Sequence, residues 1–192
     1  MVVCLTGVPT TPASPHGVGE EGNQGCQCHT EHPPLDVQLS GLPEAYGANT
    51  TYNLTLQLNS DLPIVENRSQ GGFRMMATNG TLLFNGTEAQ ELDRGWTHRE
   101  AGTYQRSWAF QWTSPLDNNS RTEFNIWANA VNGNQAPSGD EWSSLQVVVP
   151  GEGYQGDLSA SDGIDGLSGT ERLLLGAVLL AIAGLLWASI RP

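Results

Sequence analysis

Residues 107–112 read Ser-Trp-Ala-Phe-Gln-Trp, and residues 123–130 read Glu-Phe-Asn-Ile-Trp-Ala-Asn-Ala. In both stretches, apolar residues alternate with polar or small ones. Successive side chains on a strand point to opposite faces of a sheet, so this period of two predicts strands with one buried face and one solvent-facing face. The pattern places Trp108 and Trp112 in the core of a β-protein.

The same alternation recurs on both sides of these two stretches. It is clear at residues 35–39, 52–58, 73–77 and 145–149, and weaker at 82–84 and 91–98. Turn signals separate several of these runs, at Asn79-Gly80, Asn85-Gly86 and Asn132-Gly133. With no helical pattern between them, residues 35–150 are predicted to form an all-β, immunoglobulin-like β-sandwich of about seven or eight strands.

The segments flanking this domain differ from it in composition. We interpret residues 1–13 as the remnant of a signal peptide or a disordered tail, and 14–34 as a loop segment containing Cys and His. Residues 151–171, rich in Gly, Ser and Asp, are predicted to be a flexible acidic linker, followed by an anchor at 172–192.

The predicted anchor is the uncharged run from Leu173 to Ile190. A membrane span takes about 20 apolar residues, and this run is at the short end of that range. Arg172 and Arg191 bracket it, and Trp187 lies near one end, as interfacial residues do. The sequence therefore predicts one transmembrane helix in the cell membrane, with the N-terminal domain extracytoplasmic and the C-terminus cytoplasmic.

The charge balance is strongly acidic. Twenty Asp and Glu residues stand against eight basic ones, all of them Arg, for a net charge of −12. Nucleic-acid binding needs basic patches that displace counterions, so no nucleic-acid partner is expected.

Six Asn-x-Ser/Thr sequons lie within the predicted domain, at Asn49, Asn53, Asn67, Asn79, Asn85 and Asn118. Attached sugars must lie in solvent, so the cluster favours an extracytoplasmic glycoprotein. The alternative is a polar surface that is simply rich in Asn and Thr.

The second candidate site is Cys26-Gln27-Cys28-His29, with His16 and His32 nearby. A covalent haem site usually reads Cys-x-x-Cys-His, and here one residue fewer separates the thiols. Three interpretations stay open: haem c, a metal ion, or a disulfide with no cofactor, formed either between Cys26 and Cys28 or to another chain. The disulfide is the leading one.

Weaker signals lie in the loop before the last predicted strand and on the strands. Asn132, Asn134 and Asp140 have the oxygen chemistry of a calcium site, although the same residues build turns. Trp127 is the best candidate for an exposed aromatic residue, and His98 is expected at the surface. No Ser/His/Asp order, pair of catalytic carboxylates or phosphate loop stands out in the sequence, which favours a non-enzymatic role.

Several motifs in this order resemble a known family. They are found in residues 25–29, 71–77, 108–115, 124–134 and 138–140. The chain resembles the choice-of-anchor V domain, a prokaryotic relative of the reelin-type (Reeler) domain, over about residues 14–150. The resemblance implies a β-sandwich displayed on the cell surface by an anchor, and the acidic composition is similar to that of archaeal surface proteins.

The sequence therefore predicts a membrane-anchored, non-enzymatic module for adhesion or for binding an unknown protein or glycan. One alternative is an electron-transfer surface protein that binds haem or metal through Cys26, Cys28 and His29. Another is an accessory subunit of a membrane complex.

Overall fold

The computed structural model describes residues 15–25, 35–134, 136, 138–160 and 169–190. The chain divides into two compact units, Met1–Leu158 and Ser159–Pro192.

The described part of the first unit contains nine strands in two sheets. The strands are β1 (Asp36–Ser40), β2 (Thr51–Asn59), β3 (Gly71–Ala77), β4 (Thr81–Phe84), β5 (Ala89–Leu92), β6 (Gly95–His98), β7 (Ser107–Thr113), β8 (Arg121–Ala130) and β9 (Glu141–Pro150). One sheet has the order β1-β2-β7-β4 and the other β5-β6-β3-β8-β9, with every pairing antiparallel. Short 3₁₀ helices, η1 (Glu20–Gln24) and η2 (Glu100–Tyr104), complete the unit. The predicted all-β sandwich is confirmed, with more strands than expected.

Aromatic side chains from both sheets meet in the core. The ring of Phe84 on β4 stacks on Phe110 of β7 with centroids 4.2 Å apart, and Trp112 meets Phe124 of β8 edge-on at 5.2 Å. Trp108 and Trp112 are fully buried, as their alternation with polar residues predicts. Burying an aromatic or large aliphatic side chain stabilises the fold by roughly 1.5–3 kcal/mol.

The extra strand arises where the sequence predicts one strand over residues 91–98. The chain instead forms a hairpin, with Leu92 paired to Gly95 across a two-residue turn. Asp93 and Arg94 have φ angles of 44° and 61°, both left-handed. Positive φ at both central positions is the signature of a type I′ turn, which matches the twist of antiparallel strands.

The chain stays attached to the sandwich beyond β9. The amides of Gly151, Glu152 and Gly153 donate to the carbonyl oxygens of Ser120, Tyr46 and Asn118, at 2.9, 3.0 and 3.0 Å. Arg121 Nη1 also donates to the carbonyl oxygen of Asp157 at 3.1 Å. Residues 151–157 therefore belong to the sandwich unit, whereas the sequence predicts a flexible linker from residue 151.

The second unit contains helix α1 (Gly169–Ile190). Within the part of the chain that the structure describes, no helix combines the length and the apolarity needed to cross a membrane. The helix predicted at 173–190 is thus present, but its assignment as a transmembrane span is not confirmed.

Candidate functional site

The N-terminal segment 15–25 lies along the outer face of the five-stranded sheet. The Val18 amide donates to Thr97 Oγ1 at 3.1 Å, and Gly25 packs on the Trp142 ring. Gly17, with φ of 94°, approaches β6 so closely that a Cβ there would lie 2.7 Å from the His98 carbonyl oxygen. Glycine at position 17 therefore brings the neighbouring His16 up to the edge of the sheet.

Arg74 on β3 fixes this segment to the β5–β6 turn. Its side chain is 1 % exposed, and its Nε donates to Asn23 Oδ1 at 3.0 Å. Its terminal nitrogens donate to the carbonyl oxygens of Leu92 and Asp93. Burial lowers the pKa of Arg74, and the nearby Asp93 carboxylate partly opposes that shift. Gly95 leaves room for the guanidinium, since a Cβ there would lie 2.7 Å from Arg74 Cζ.

A cleft of about 460 Å³ opens beside this arrangement, and we call it the Arg99 cleft. Its lining residues come from the N-terminal segment, the loop before β5, β5 itself, and η2 with the residue before it. They are His16, Thr87, Gln90, Arg99, Glu100, Ala101 and Tyr104. Its volume lies within the range of about 300–1,000 Å³ that is usual for small-ligand sites.

The η2 wall of the cleft is held by the core. The Arg99 amide donates to the Glu88 carbonyl oxygen at 2.7 Å, and Trp108 Nε1 donates to the Gly102 carbonyl oxygen at 3.0 Å. A Cβ on Gly102 would lie 2.0 Å from the Glu88 carbonyl oxygen, so only glycine allows this approach. These contacts give Arg99 and Tyr104 a fixed backbone.

The cleft presents polar groups that the rest of the described chain does not use. Arg99 Nε donates to the Ala89 carbonyl oxygen at 3.3 Å, while its two terminal nitrogens have no partner among the described residues. Tyr104 is 46 % exposed, and His16 and Glu100 are also exposed. The arrangement offers a guanidinium donor, an aromatic face and a carboxylate acceptor to a ligand.

Sequence reasoning did not identify this cleft. The structure places Tyr104 in η2, ahead of the alternating strand that contains Trp108. The expectation that His98 is exposed is wrong, because its ring is 6 % exposed and Nδ1 accepts a hydrogen bond from the Phe73 amide at 3.0 Å. The signal available was the pair Arg99-Glu100 directly after a strand.

The candidate haem and metal ligands lie mostly outside the described residues. Cys26, Cys28, His29 and His32 fall there, and the described His16 lines the Arg99 cleft. The described part of the chain holds no group of three or more His, Cys, Asp or Glu side chains placed to bind a metal ion. Haem, metal and disulfide all stay predictions.

The candidate calcium ligands build turns in the loop before β9. Asn132 Oδ1 accepts the Asn134 amide at 2.9 Å, and Asn134 Oδ1 accepts the Ala136 amide at 2.8 Å. The buried Asp140 accepts the Asn132 amide through Oδ1 at 3.1 Å. The two Asn bonds, each to the amide two residues on, are typical of Asx turns, and calcium binding stays a prediction.

The sequons and the candidate exposed tryptophan are all described. Five sequon residues are exposed and one is half-buried: the exposed ones are Asn49, Asn53, Asn67, Asn79 and Asn85, and the half-buried one is Asn118. Trp127 is half-buried and pairs in register with Arg74 on the outer face of the sheet.

Comparisons with known proteins give similarity only at the level of solved structures. No protein-family model and no curated protein matches the chain. The reeler domain of human F-spondin has 18 % identity and a TM-score of 0.40, and the match covers 62 % of this chain and 93 % of that domain. For the Reelin-N domain of F-spondin, the identity is 18 %, the TM-score is 0.42, and 68 % of this chain and 94 % of that chain are covered.

A conjugate transposon protein from Bacteroides vulgatus is also similar, with 12 % identity and a TM-score of 0.41. That match covers 68 % of this chain and 94 % of the other. At these values the likeness concerns the fold alone. Membership in the choice-of-anchor V family and an archaeal source stay predictions.

Proposed function

We propose that the sandwich is a non-enzymatic, extracytoplasmic binding module for adhesion that takes its glycan or protein ligand in the Arg99 cleft. One observation carries the proposal. Residues far apart in sequence, at positions 16, 90 and 99–104, meet in one solvent-open cleft, and the Arg99 terminal nitrogens there have no partner among the described residues.

The residues lining the cleft favour binding over bond cleavage. Glycoside hydrolysis uses two carboxyl groups that flank the scissile bond. Glu100 supplies the one carboxylate among the lining residues. An exposed aromatic ring beside an Arg is, by contrast, the composition enriched at binding hot spots.

The test is a glycan-array screen of the full chain, compared with Arg99→Gln and Tyr104→Ala. Arg68→Gln is the matched control, because Arg68 is exposed and does not line the cleft. We expect the spots bound by the wild type and by Arg68→Gln to be lost in both cleft variants. Retention of these spots by both cleft variants would place the site elsewhere.

We further propose that α1 holds the module at a lipid membrane. Large apolar side chains are exposed along the helix, at Leu173, Leu174, Leu175, Val178, Leu179, Leu180, Ile182, Leu185, Leu186 and Trp187. Exposed apolar surface costs about 25 cal/mol per Å² in water, which favours burial in lipid. The full chain should remain in the pellet after carbonate extraction, and a chain ending at Ala160 should not. A freely soluble full chain would refute this.

Electron transfer or metal binding through Cys26, Cys28 and His29 is the second candidate function. One observation favours it: the described residues on either side of this segment, Gly25 and Leu35, both contact Trp142. Gly25 packs on the Trp142 ring, and the Leu35 amide donates to the Trp142 carbonyl oxygen at 3.4 Å. With both ends held, part of the entropy cost of gathering ligands is already met. A Soret band or bound metal in the purified protein would support this function, whereas a colourless, metal-free protein would exclude it.

A further inference from the structure

We infer that the Arg99 cleft recognises a saccharide unit carrying a single carboxylate, such as a hexuronate. The inference rests on the proposed binding function and names the ligand class of that same cleft. It follows from the charges, the hydrogen-bonding groups and the aromatic ring that line the cleft.

The carboxylate is assigned to Arg99. Its Nε is held by the Ala89 carbonyl oxygen, which positions the guanidinium, while the two terminal nitrogens have no partner among the described residues. A guanidinium matches a carboxylate with two parallel hydrogen bonds, and Arg is favoured wherever that planar geometry matters. Basic side chains are few in this protein, which has eight basic and twenty acidic residues.

The charge of the cleft limits the ligand to a weak anion. Glu100 lies next to Arg99 in the lining, and the whole chain carries a net charge of −12. A field of that sign repels multiply charged ligands such as phosphorylated or sulfated sugars. One guanidinium can neutralise one carboxylate. The neighbouring Glu100 disfavours any further negative charge on the ligand.

The remaining groups fit a polyhydroxylated ring. Sugar hydroxyls donate well to a carboxylate such as Glu100, and the amide of Gln90 can accept or donate. Gln90 is held in place because its Nε2 donates to the carbonyl oxygen of His16. The exposed face of Tyr104 provides an apolar platform for the C–H face of a sugar.

The experiment is calorimetric titration of the full chain in detergent with a galacturonic acid trimer and with a neutral galactose trimer of the same linkage. The protein is produced without glycosylation, because Thr87 lines the cleft and belongs to the Asn85 sequon. A sugar on Asn85 would otherwise compete as a ligand from the chain itself.

We expect the acidic trimer to bind about tenfold or more tightly than the neutral one, the difference that one charge-assisted contact supplies. Arg99→Gln should abolish this preference and leave the weaker binding of the neutral trimer in place. Tyr104→Ala should weaken both ligands, and Arg68→Gln should change neither. Thermal melts of the variants separate lost binding from lost folding.

Three outcomes would overturn the inference. Equal binding of the two trimers by the wild type would refute the acidic ligand class and leave the proposed binding module standing. A preference for the acidic trimer that survives Arg99→Gln would show that another group reads the carboxylate. If neither trimer binds while the glycan array shows cleft-dependent binding of other sugars, the ligand class is wrong and the module stands.

Discussion

Two buried arginines, Arg74 and Arg106, donate hydrogen bonds to backbone carbonyl oxygens. The guanidinium of Arg74 donates to carbonyl oxygens of the β5–β6 turn, and that of Arg106 to those of Leu62 and Gln70, at 2.9 and 3.1 Å. Burial lowers the pKa of both groups, yet an Arg stays protonated at any ordinary pH. Each therefore fixes several chain segments at once, because one guanidinium has five N–H donors.

Replacing Arg74 with Met is expected to lower the free energy of unfolding by about 2–4 kcal/mol. Met fills much of the volume but leaves the Leu92 and Asp93 carbonyls and Asn23 without their donor, and an unsatisfied buried polar group costs about 1–3 kcal/mol. Urea unfolding measures the change through the midpoint. Arg68→Met, at an exposed site, should stay within about 0.5 kcal/mol. Equal stability of the two variants would show that the Arg74 contacts contribute nothing.

Acid is expected to loosen the N-terminal segment at Glu21. Hydrogen bonds from the amides of Glu21 and Gly19 hold the pKa of this carboxyl below its usual 4.5. A lowered folded pKa means that the stabilisation is complete above 4.5 and is lost as pH falls through the folded value. The amide resonance of Gly19, followed by NMR, should shift over that window. In Glu21→Gln the shift should be absent, and its persistence would point to another group.

At the scale of elements, the regular strands could be predicted because their signal is local. The alternation of Leu54, Leu56 and Leu58 with polar residues gives a strand with those three side chains buried. A period of two needs no knowledge of the rest of the fold. The same holds for β7 and β8.

The β5–β6 hairpin could not be predicted in this way. Its turn residues, Asp93 and Arg94, adopt left-handed φ angles that residues with a Cβ disfavour, in place of the usual Asn-Gly signal. Arg74, far away in sequence on β3, binds the carbonyl oxygens on the turn and supports it. The decisive contact is tertiary, so the local sequence carries no sign of it.

The Arg99 cleft was missed for the same reason. His16 and Arg99 line one cleft because the N-terminal segment bonds to β6 and because Arg99 bonds to the backbone at the start of β5. Sequence reasoning looked for ligands in Cys26–His29, which lies outside the described residues. Composition alone cannot show that the terminal nitrogens of Arg99 have no partner among the described residues and face this cleft.

Gly102→Ala is expected to destabilise the protein by about 1–3 kcal/mol, the usual cost of overpacking. The added Cβ would lie 2.0 Å from the backbone carbonyl of Glu88, which no side-chain movement can relieve. Thermal denaturation measures the loss, and ligand affinity of the cleft should fall as η2 shifts. Gly86→Ala is the control, because a Cβ there meets nothing within 4 Å. If the two variants melt alike, the close approach at Gly102 is not a constraint.

At the scale of the whole molecule, the sandwich unit is closed by contacts between distant parts of the chain. Tyr46 is fully buried, and its hydroxyl donates to the Ser120 carbonyl oxygen at 2.9 Å. Its own carbonyl oxygen accepts the Glu152 amide, just after β9, at 3.0 Å. The loop before β2, the loop before β8 and residues 151–157 thus form one closure at the end of the sandwich. In the sequence, these residues begin the segment 151–171, which is rich in Gly, Ser and Asp, the composition of a linker.

Truncated chains distinguish whether residues 151–157 are bonded to the sandwich or form a flexible linker. A chain ending at Ala160 keeps this closure, and one ending at Pro150 loses the amides of Gly151, Glu152 and Gly153 that bond to the sandwich. At about 0.5–1.5 kcal/mol for each hydrogen bond, the shorter chain should be less stable by about 2–4 kcal/mol in urea unfolding. A flexible linker from residue 151 requires equal stability of the two chains, since a coil contributes no contacts. Extending the shorter chain to Asp157 should restore the loss, because the last of these contacts, Arg121 with the Asp157 carbonyl, is then complete.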